Sequence, residues 1–327
     1  MLLILLPQQN NMQAPKTTKN KLNLMLESAV NLGYSVEIVS TNGPLVRLSK
    51  DKKTRYIWGD FLPINTTVSA KICKYKDITK NVLSSGGIKT PKGMLVKSFE
   101  EFKKRFADAD FSFPIVIKPN DASLGTNVFV GIKNFDDAKK SIEIVLKAKS
   151  EVLVEEFCDG EDHRVLVLNG VVLAACRRIQ PFVIGDGITT LGELIEGYNS
   201  KRLKPIKNDE EFRRQLNDQK ISLTDIIEKD RKVFVRGNAN VSTGGMVEDE
   251  TEKISGYFSE IAVKAVAIIG GKYMGVDIIT DDISKSGGSY FVTEVNGNPD
   301  FDIHLSPDIG KRRDPRPQIL AAIFTDR

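Results

Sequence analysis

Residues 274–279 read Met-Gly-Val-Asp-Ile-Ile, and residues 293–296 read Thr-Glu-Val-Asn. In the first stretch a single acid, Asp277, stands among apolar residues, the pattern of a buried strand. A buried carboxylate is costly unless it is paired or bound to a metal. Glu294 and Asn296 are two positions apart, so on a strand both side chains leave the same face. A strand pair is therefore expected over 274–279 and 290–295, bringing together three hard oxygen donors. Asp277, Glu294 and Asn296 suit Mg²⁺ (or Mn²⁺), which accepts carboxylates together with phosphate oxygens.

Working outward, three more segments carry residue types suited to a nucleotide. Lys118 closes a strand over 115–117 and precedes a small-residue loop, 120–126, that includes Ser123 and one glycine. A lysine there can offer its ammonium, and the loop its backbone N–H groups, to phosphates. A solvated strand end would look the same. The strand over 152–157 ends in Glu155-Glu156-Phe157, with Asp162 close behind. Those acids could meet an adenine amino group and a ribose hydroxyl, or could serve as charges on a sheet edge. Arg236 opens the third segment, and Asn240, Ser242, Gly244 and Gly245 follow it. An arginine can neutralise a phosphate or a developing oxyanion, and paired glycines admit close backbone approach. Asn and Gly clusters also make plain turns.

Length and composition set the frame. The 327 residues carry 47 Lys+Arg against 43 Asp+Glu, hence 47 − 43 = +4, too even for a nucleic-acid binder. Three widely spaced cysteines, with no CxxC, argue against a disulfide scaffold or structural zinc. The opening Met-Leu-Leu-Ile-Leu-Leu-Pro has no preceding positive charge and stops at Pro7, so a strand over 2–6 is expected rather than a signal peptide. No stretch reaches the length of a membrane helix, and a cytoplasmic location is expected.

Along residues 1–98, strands at 35–39, 45–48 and 56–58 follow a helix that carries Leu22, Leu26, Ala29 and Val30. This alternation suggests an α/β layer on a parallel sheet. A helix is expected over 74–85, ending at Gly86-Gly87. Helices at 99–106 and 136–148 with strands at 115–117, 128–130 and 152–157 suggest a small lobe over 99–158. The remainder, 159–327, is expected to hold strands at 165–168 and 171–176. Helices follow at 190–198 and 256–269, with a partly helical charged stretch over 200–232.

The four segments, in this order, resemble an ATP-grasp ligase, most nearly cyanophycin synthetase and the ligase domain of bifunctional glutathione synthetases. Val183-Ile184-Gly185-Asp186-Gly187, with Thr190, Leu194-Ile195 and Asn199, carries the resemblance together with Asn240-Val241-Ser242-Thr243-Gly244-Gly245. It spans about 110–310 and weakens before that, where 74–80 resembles the family's basic helix. The resemblance implies an α/β fold of α+β lobes. These are an N-terminal pre-ATP-grasp domain (1–98), a small central lid lobe (99–158) and a C-terminal sheet domain with the metal and acyl-phosphate site (159–327).

It further implies ATP and Mg²⁺, with Lys80, Lys118 and Ser123 toward the phosphates. Glu155, Glu156 and Phe157 would lie at the adenine hinge, and Asp162 near the ribose. Asp277, Glu294 and Asn296 would hold the metal. Arg236, Asn240, Ser242, Gly244 and Gly245 would face an acyl-phosphate, with Arg164 and Arg178 as further phosphate or substrate contacts. The implied reaction is ADP-producing amide or peptide bond formation on an amino acid or short peptide. Asp300 and Asp302 depart from the family and would add charge near the substrate, or act as surface acids. The family's tendency to associate leaves a homo-oligomer open, and a stand-alone ligase is expected. A non-catalytic ATP-binding module and an ATP-grasp carboxylase or phosphotransferase remain alternatives.

Overall fold

The computed structural model describes residues 21–40, 44–122 and 125–325. The strand expected over 2–6 lies outside the described residues, as does Ser123. Helix α1 (Lys21–Asn31) precedes a meander of β1 (Ser35–Ser40), β2 (Leu45–Lys50) and β3 (Lys53–Trp58). Both pairings are antiparallel, which corrects the parallel layer expected here. Parallel neighbours need a crossover of about a dozen residues or more, and only Asp51 and Lys52 separate β2 from β3. Both adopt positive φ, 49° and 63°, as the primed two-residue hairpin turns require.

The helix expected over 74–85 is α3 (Lys76–Ser85), and a further helix that the sequence reading did not expect, α2 (Thr67–Lys74), precedes it. The break is at Tyr75, whose extended backbone (φ −108°, ψ 114°) ends one and starts the other. The Thr66 hydroxyl accepts from Ser69 N at 3.1 Å and caps α2.

A four-stranded antiparallel sheet follows. It is built from β4 (Gly93–Val96), β5 (Ile115–Pro119), β6 (Phe129–Ile132) and β7 (Val152–Glu156) in the order β4-β7-β5-β6. Helices α4 (Phe99–Phe106) and α5 (Phe135–Leu146) cover one face. Phe102, Ile115, Ile142 and Val154 form its buried core.

The larger sheet runs β12-β9-β8-β13-β14. Its members are β8 (Glu161–Leu168), β9 (Val171–Ile179), β12 (Met246–Asp249), β13 (Tyr273–Thr280) and β14 (Tyr290–Asn296). Between β9 and β12 the chain forms a small layer from the hairpin β10 (Phe182–Ile184) and β11 (Lys232–Phe234), with α6 (Leu191–Asn199) and α7 (Glu210–Asp218). Helix α8 (Gly256–Ile269) covers one face of the large sheet, burying Phe258, Ala262 and Val266 with Val165, Val276 and Ile278. The alternation of strand side chains then sends Arg164 and Asp277 to the opposite face. Short α9 (Asp302–Leu305) and α10 (Arg316–Phe324) end the described chain, and α10 packs with α1 and β2 around Met25, Leu48 and Leu320. No helix among the described residues is long and apolar enough to cross a membrane.

Candidate active site

The two sheets are joined by residues 157–160, where β7 of the small sheet leads into β8 of the large one. Gly160 takes φ 128°, and a Cβ there would lie 2.9 Å from the Thr280 carbonyl carbon, so the link hugs the end of β13. Between the sheets lies a cavity of about 1440 Å³, walled by both sheets, by α2 and α3 and by the loop before β12.

On the small-sheet wall, Glu155 is the centre of a buried charge cluster. Its carboxylate accepts from Lys80 and lies 2.7 Å from Lys118 Nζ. Burial opposes each charge here, yet the lysines hold the Glu155 carboxyl below its usual range, and Glu155 with Glu294 raises Lys118. Lys80 is different: burial dominates and lowers it to about 8, with Lys118 adding to the shift and Glu155 opposing it. Glu155 and Lys118 line the cavity, whereas Lys80 stands behind them. Glu156 accepts from Lys92 N at 2.7 Å, and Glu156, Phe157 and Asp162 also reach the wall.

On the large-sheet wall, β13 and β14 pair antiparallel with Asp277 opposite Glu294 and Gly275 opposite Asn296. All three donor side chains line the cavity. Asp277 is 2% exposed and faces two arginines. It accepts from Arg164 through both carboxylate oxygens, the second at 3.0 Å, and from Arg178 Nη2 at 2.9 Å. Burial would raise its pKa, but those guanidiniums outweigh it and hold the carboxyl below its usual range. Arg178 also donates to Asp162 at 2.6 Å, linking Asp277 to Asp162.

The donor set fits Mg²⁺. The Asn296 amide nitrogen, a donor, is buried without a hydrogen-bond partner, and the atom of this side chain able to ligate a cation is its oxygen. Among the described residues no three His, Cys, Asp or Glu side chains are grouped to hold a metal unaided. Glu294 and the Asn296 oxygen could serve Mg²⁺ together with phosphate oxygens, whereas both Asp277 oxygens are already taken by Arg164 and Arg178 and would have to be released to join them.

Sequence reasoning missed Lys76. It starts α3, and its Nζ donates to Ala122 O at 2.7 Å and lies 3.4 Å from Glu294 Oε1. One side chain thereby joins the loop after β5 to Glu294 on β14. Its spacing of four from Lys80, the same helix face, was the available signal.

The third segment is only partly at the site. Asn240 and Ser242 line the cavity, but Arg236, Gly244 and Gly245 do not. Arg236 is 1% exposed and turned the other way. It donates to Lys207 O at 2.7 Å and to both Asp209 oxygens at 2.7 and 3.0 Å. Since Asp209 caps α7, this arginine fixes the start of a helix rather than meeting the cavity. Gly244 and Gly245 are needed for close packing. A Cβ at Gly245 would lie 2.3 Å from Ala239 O, and one at Gly244 2.7 Å from Ile206 Cα. Tyr198 and Arg202 donate to their carbonyls, each at 2.7 Å.

Among the described residues, the cysteines on the wall are not activated as nucleophiles. Burial pushes the Cys73 and Cys158 thiols, both on the wall, up to about 12, so they stay protonated. His163 and His304 do not line the cavity.

Residues 74–182 match the model of the RimK-like ATP-grasp domain. The chain is 33% identical over 263 residues to cyanophycin synthetase of Crocosphaera subtropica, a match taking in 76% of this chain and 30% of that protein. It is 30% identical over 316 residues to the glutathione biosynthesis bifunctional protein of Clostridium perfringens, 92% of this chain and 40% of the relative. Among solved structures, a bifunctional glutathione synthetase from Pasteurella multocida superposes with a TM-score of 0.65 at 27% identity, over 93% of this chain and 43% of that one. The chain thus spans well under half the length of these relatives. It carries a RimK-like ATP-grasp domain, and its fold is the ATP-grasp fold.

Proposed function

We propose that this chain joins a carboxylate to an amine, forming an amide or peptide bond while ATP becomes ADP and phosphate. A substrate carboxylate oxygen attacks the γ-phosphorus and ADP leaves. The amine nitrogen then attacks the acyl carbon, phosphate leaves, and the amine proton passes to phosphate or water. The observation that carries the reading is the convergence on one cavity of Lys118 from the small-sheet wall and of Asp277, Glu294 and Asn296 from the large-sheet wall, with Lys76 reaching Glu294 at 3.4 Å. Repulsion between a carboxylate and a triphosphate is the obstacle, and fixed cations opposite a metal set address it.

Lys118 and Lys76 bind the phosphates, and Lys80 acts on them through Glu155. Phe157 and Glu156 border the adenine, and Asp162 the ribose. Asp277, Glu294 and Asn296 would hold Mg²⁺, which supplies charge screening at the phosphate oxygens. Asn240 and Ser242 lie where the acyl group would form, and Arg236 supports their loop from behind through Asp209. The central lobe, taken as 99–158, covers the nucleotide and excludes water from the labile acyl-phosphate. Amino acids or short peptides are the substrate class, as the names of the relatives suggest. The test is ADP release with Mg·ATP against pairs of amino acids and dipeptides, with condensed products read by mass spectrometry. ADP that rises only when both a carboxylate and an amine are present supports ligation. ATP binding without turnover under any pair would favour a non-catalytic nucleotide module.

A further inference from the structure

The strand β6 is an edge of the small sheet, so its outward carbonyls have no ladder partner. One of them, Val130 O, receives a hydrogen bond from Arg214 Nη2 at 2.7 Å. Arg214 belongs to α7, 84 residues away, and is aimed by its own neighbours. Its Nε and Nη2 donate to the two oxygens of Glu211 at 2.8 and 3.0 Å, and Nη1 donates to Asp218 at 2.7 Å. Glu211 is 2% exposed and also accepts from Gly237 N at 3.2 Å. A Cβ at Gly237 would fall 2.7 Å from that carboxylate and 3.3 Å from Val130 Cβ, so only glycine lets the edge strand and Glu211 meet there. A second approach lies along the same hairpin. A Cβ at Gly125 would lie 2.7 Å from the Asn240 side chain.

These contacts tie residues 125–132, at the edge of the small sheet, to α7 and to the loop before β12 that carries Asn240 and Ser242. We infer that Arg214, gripped by Glu211, is a positioning residue that clasps this hairpin over the reacting end of the cavity. The inference rests on the ligase reading for its consequence in catalysis, though not for the clasp itself. With the hairpin held down, the acyl-phosphate waits for an amine. With it released, water attacks the acyl carbon, phosphate leaves, and the carboxylate is regenerated with one ATP lost. A guanidinium suits this task because its planar fork can serve a carboxylate and a backbone carbonyl at once.

Removing Arg214 alone would strand Glu211 as a buried, unpaired acid, so the test uses Glu211→Gln/Arg214→Met beside Arg214→Gln. Hydrogen exchange on the full chain, free and with Mg·AMPPNP, is compared with wild type. Loss of one charge-assisted hydrogen bond should speed exchange of residues 125–132 by about tenfold, while α6 and β11 keep their rates. The double variant should also form more ADP per amide product than wild type. Unchanged exchange over 125–132 overturns the inference, as does acceleration spread equally through α6, β10 and β11. If wild type forms no amide with any substrate pair, the ligase reading fails while the exchange result still decides the clasp.

Discussion

Lys118 Nζ lies 2.7 Å from Glu155 Oε2, with both side chains almost wholly removed from water. Each charge is tolerable there only because the other is present, and Lys80 completes the balance from behind. The consequence is that Glu155 is first a support for the phosphate lysines and only then a neighbour of the nucleotide.

Glu155→Gln leaves two buried ammonium groups that have lost the carboxylate in contact with both. Breaking a buried pair from one side costs about 3–5 kcal/mol. Urea unfolding should therefore show a loss on that scale, with weakened nucleotide binding. A loss below about 1 kcal/mol, the range of surface pairs, would overturn the cluster's role.

Glu294→Gln should nearly abolish ATP turnover while the thermal midpoint stays near wild type. Glu294 is partly exposed and has one distant partner, Lys76 at 3.4 Å, so little of the fold depends on its charge. ADP release near the wild-type rate with competent substrates would sink the metal assignment.

Arg236→Ala should act through structure. Its bonds to Asp209 and Lys207 O hold the start of α7, and hydrogen bonds to a charged group contribute about 1.5–3 kcal/mol. Exchange of α7 amides should accelerate before any change is seen in α8. A variant with wild-type exchange and lost turnover would instead restore Arg236 to the reacting atoms.

The pH dependence has a definite sign. Glu155 and Asp277 are held below their usual range, so in the acid region the unfolded chain binds more protons than the folded one. Their stabilisation is present above the unfolded carboxyl pKa, about 4–4.5, and is lost as pH falls through the depressed values. Lys80, lowered to about 8, sheds its proton earlier in the folded state than in the unfolded one. Stability should then rise with pH between about 8 and 10.4. Lys80→Met should flatten that alkaline slope in urea unfolding at a series of pH values. An unchanged slope in the variant would show that Lys80 does not titrate there.

Two glycines separate close packing from mere flexibility. A Cβ at Gly185 would lie 2.1 Å from Glu228 O, whereas Gly197, within α6, meets nothing within 4 Å. Gly197→Ala should stabilise by about 0.5–1 kcal/mol, and Gly185→Ala should destabilise by more than that. Equal effects on the thermal midpoint would contradict this packing.

Much of this was legible in the sequence where a local pattern reports a burial face. The helix at 256–269 and the one at 99–106 coincide with α8 and α4, because amphipathic spacing and a capping serine mark both. The β13–β14 pair was legible because one acid in an apolar strand has few explanations. What stayed hidden depends on partners far along the chain. No local feature shows that Arg164 stands opposite Asp277, since that register exists only once β8 and β13 pair. Arg236 illustrates the same limit, for its partner Asp209 lies in a charged stretch without strong periodicity. The phrase around Asp186 was diagnostic for a reason unrelated to chemistry. Asp186 accepts from Ile188 N and Thr189 N, and Thr190 closes a capping box on α6. It is a turn and a helix start, and the small layer is built on it.

Asn65 bears on how this protein could be cut and recombined. Its amide nitrogen donates to Tyr273 O and Gly297 O, at 2.5 and 2.8 Å, and its oxygen accepts from Lys272 N and Tyr273 N at 2.8 and 2.9 Å. One side chain from a loop before α2 thus closes the ends of the strands that bear Asp277 and Asn296. The matched family segment begins at residue 74, but a chimera joined there would exchange this stitch for a stranger's loop. A crossover upstream of residue 60 keeps the donor sheet with its own fastening, and that is where modular exchange with longer relatives should be attempted.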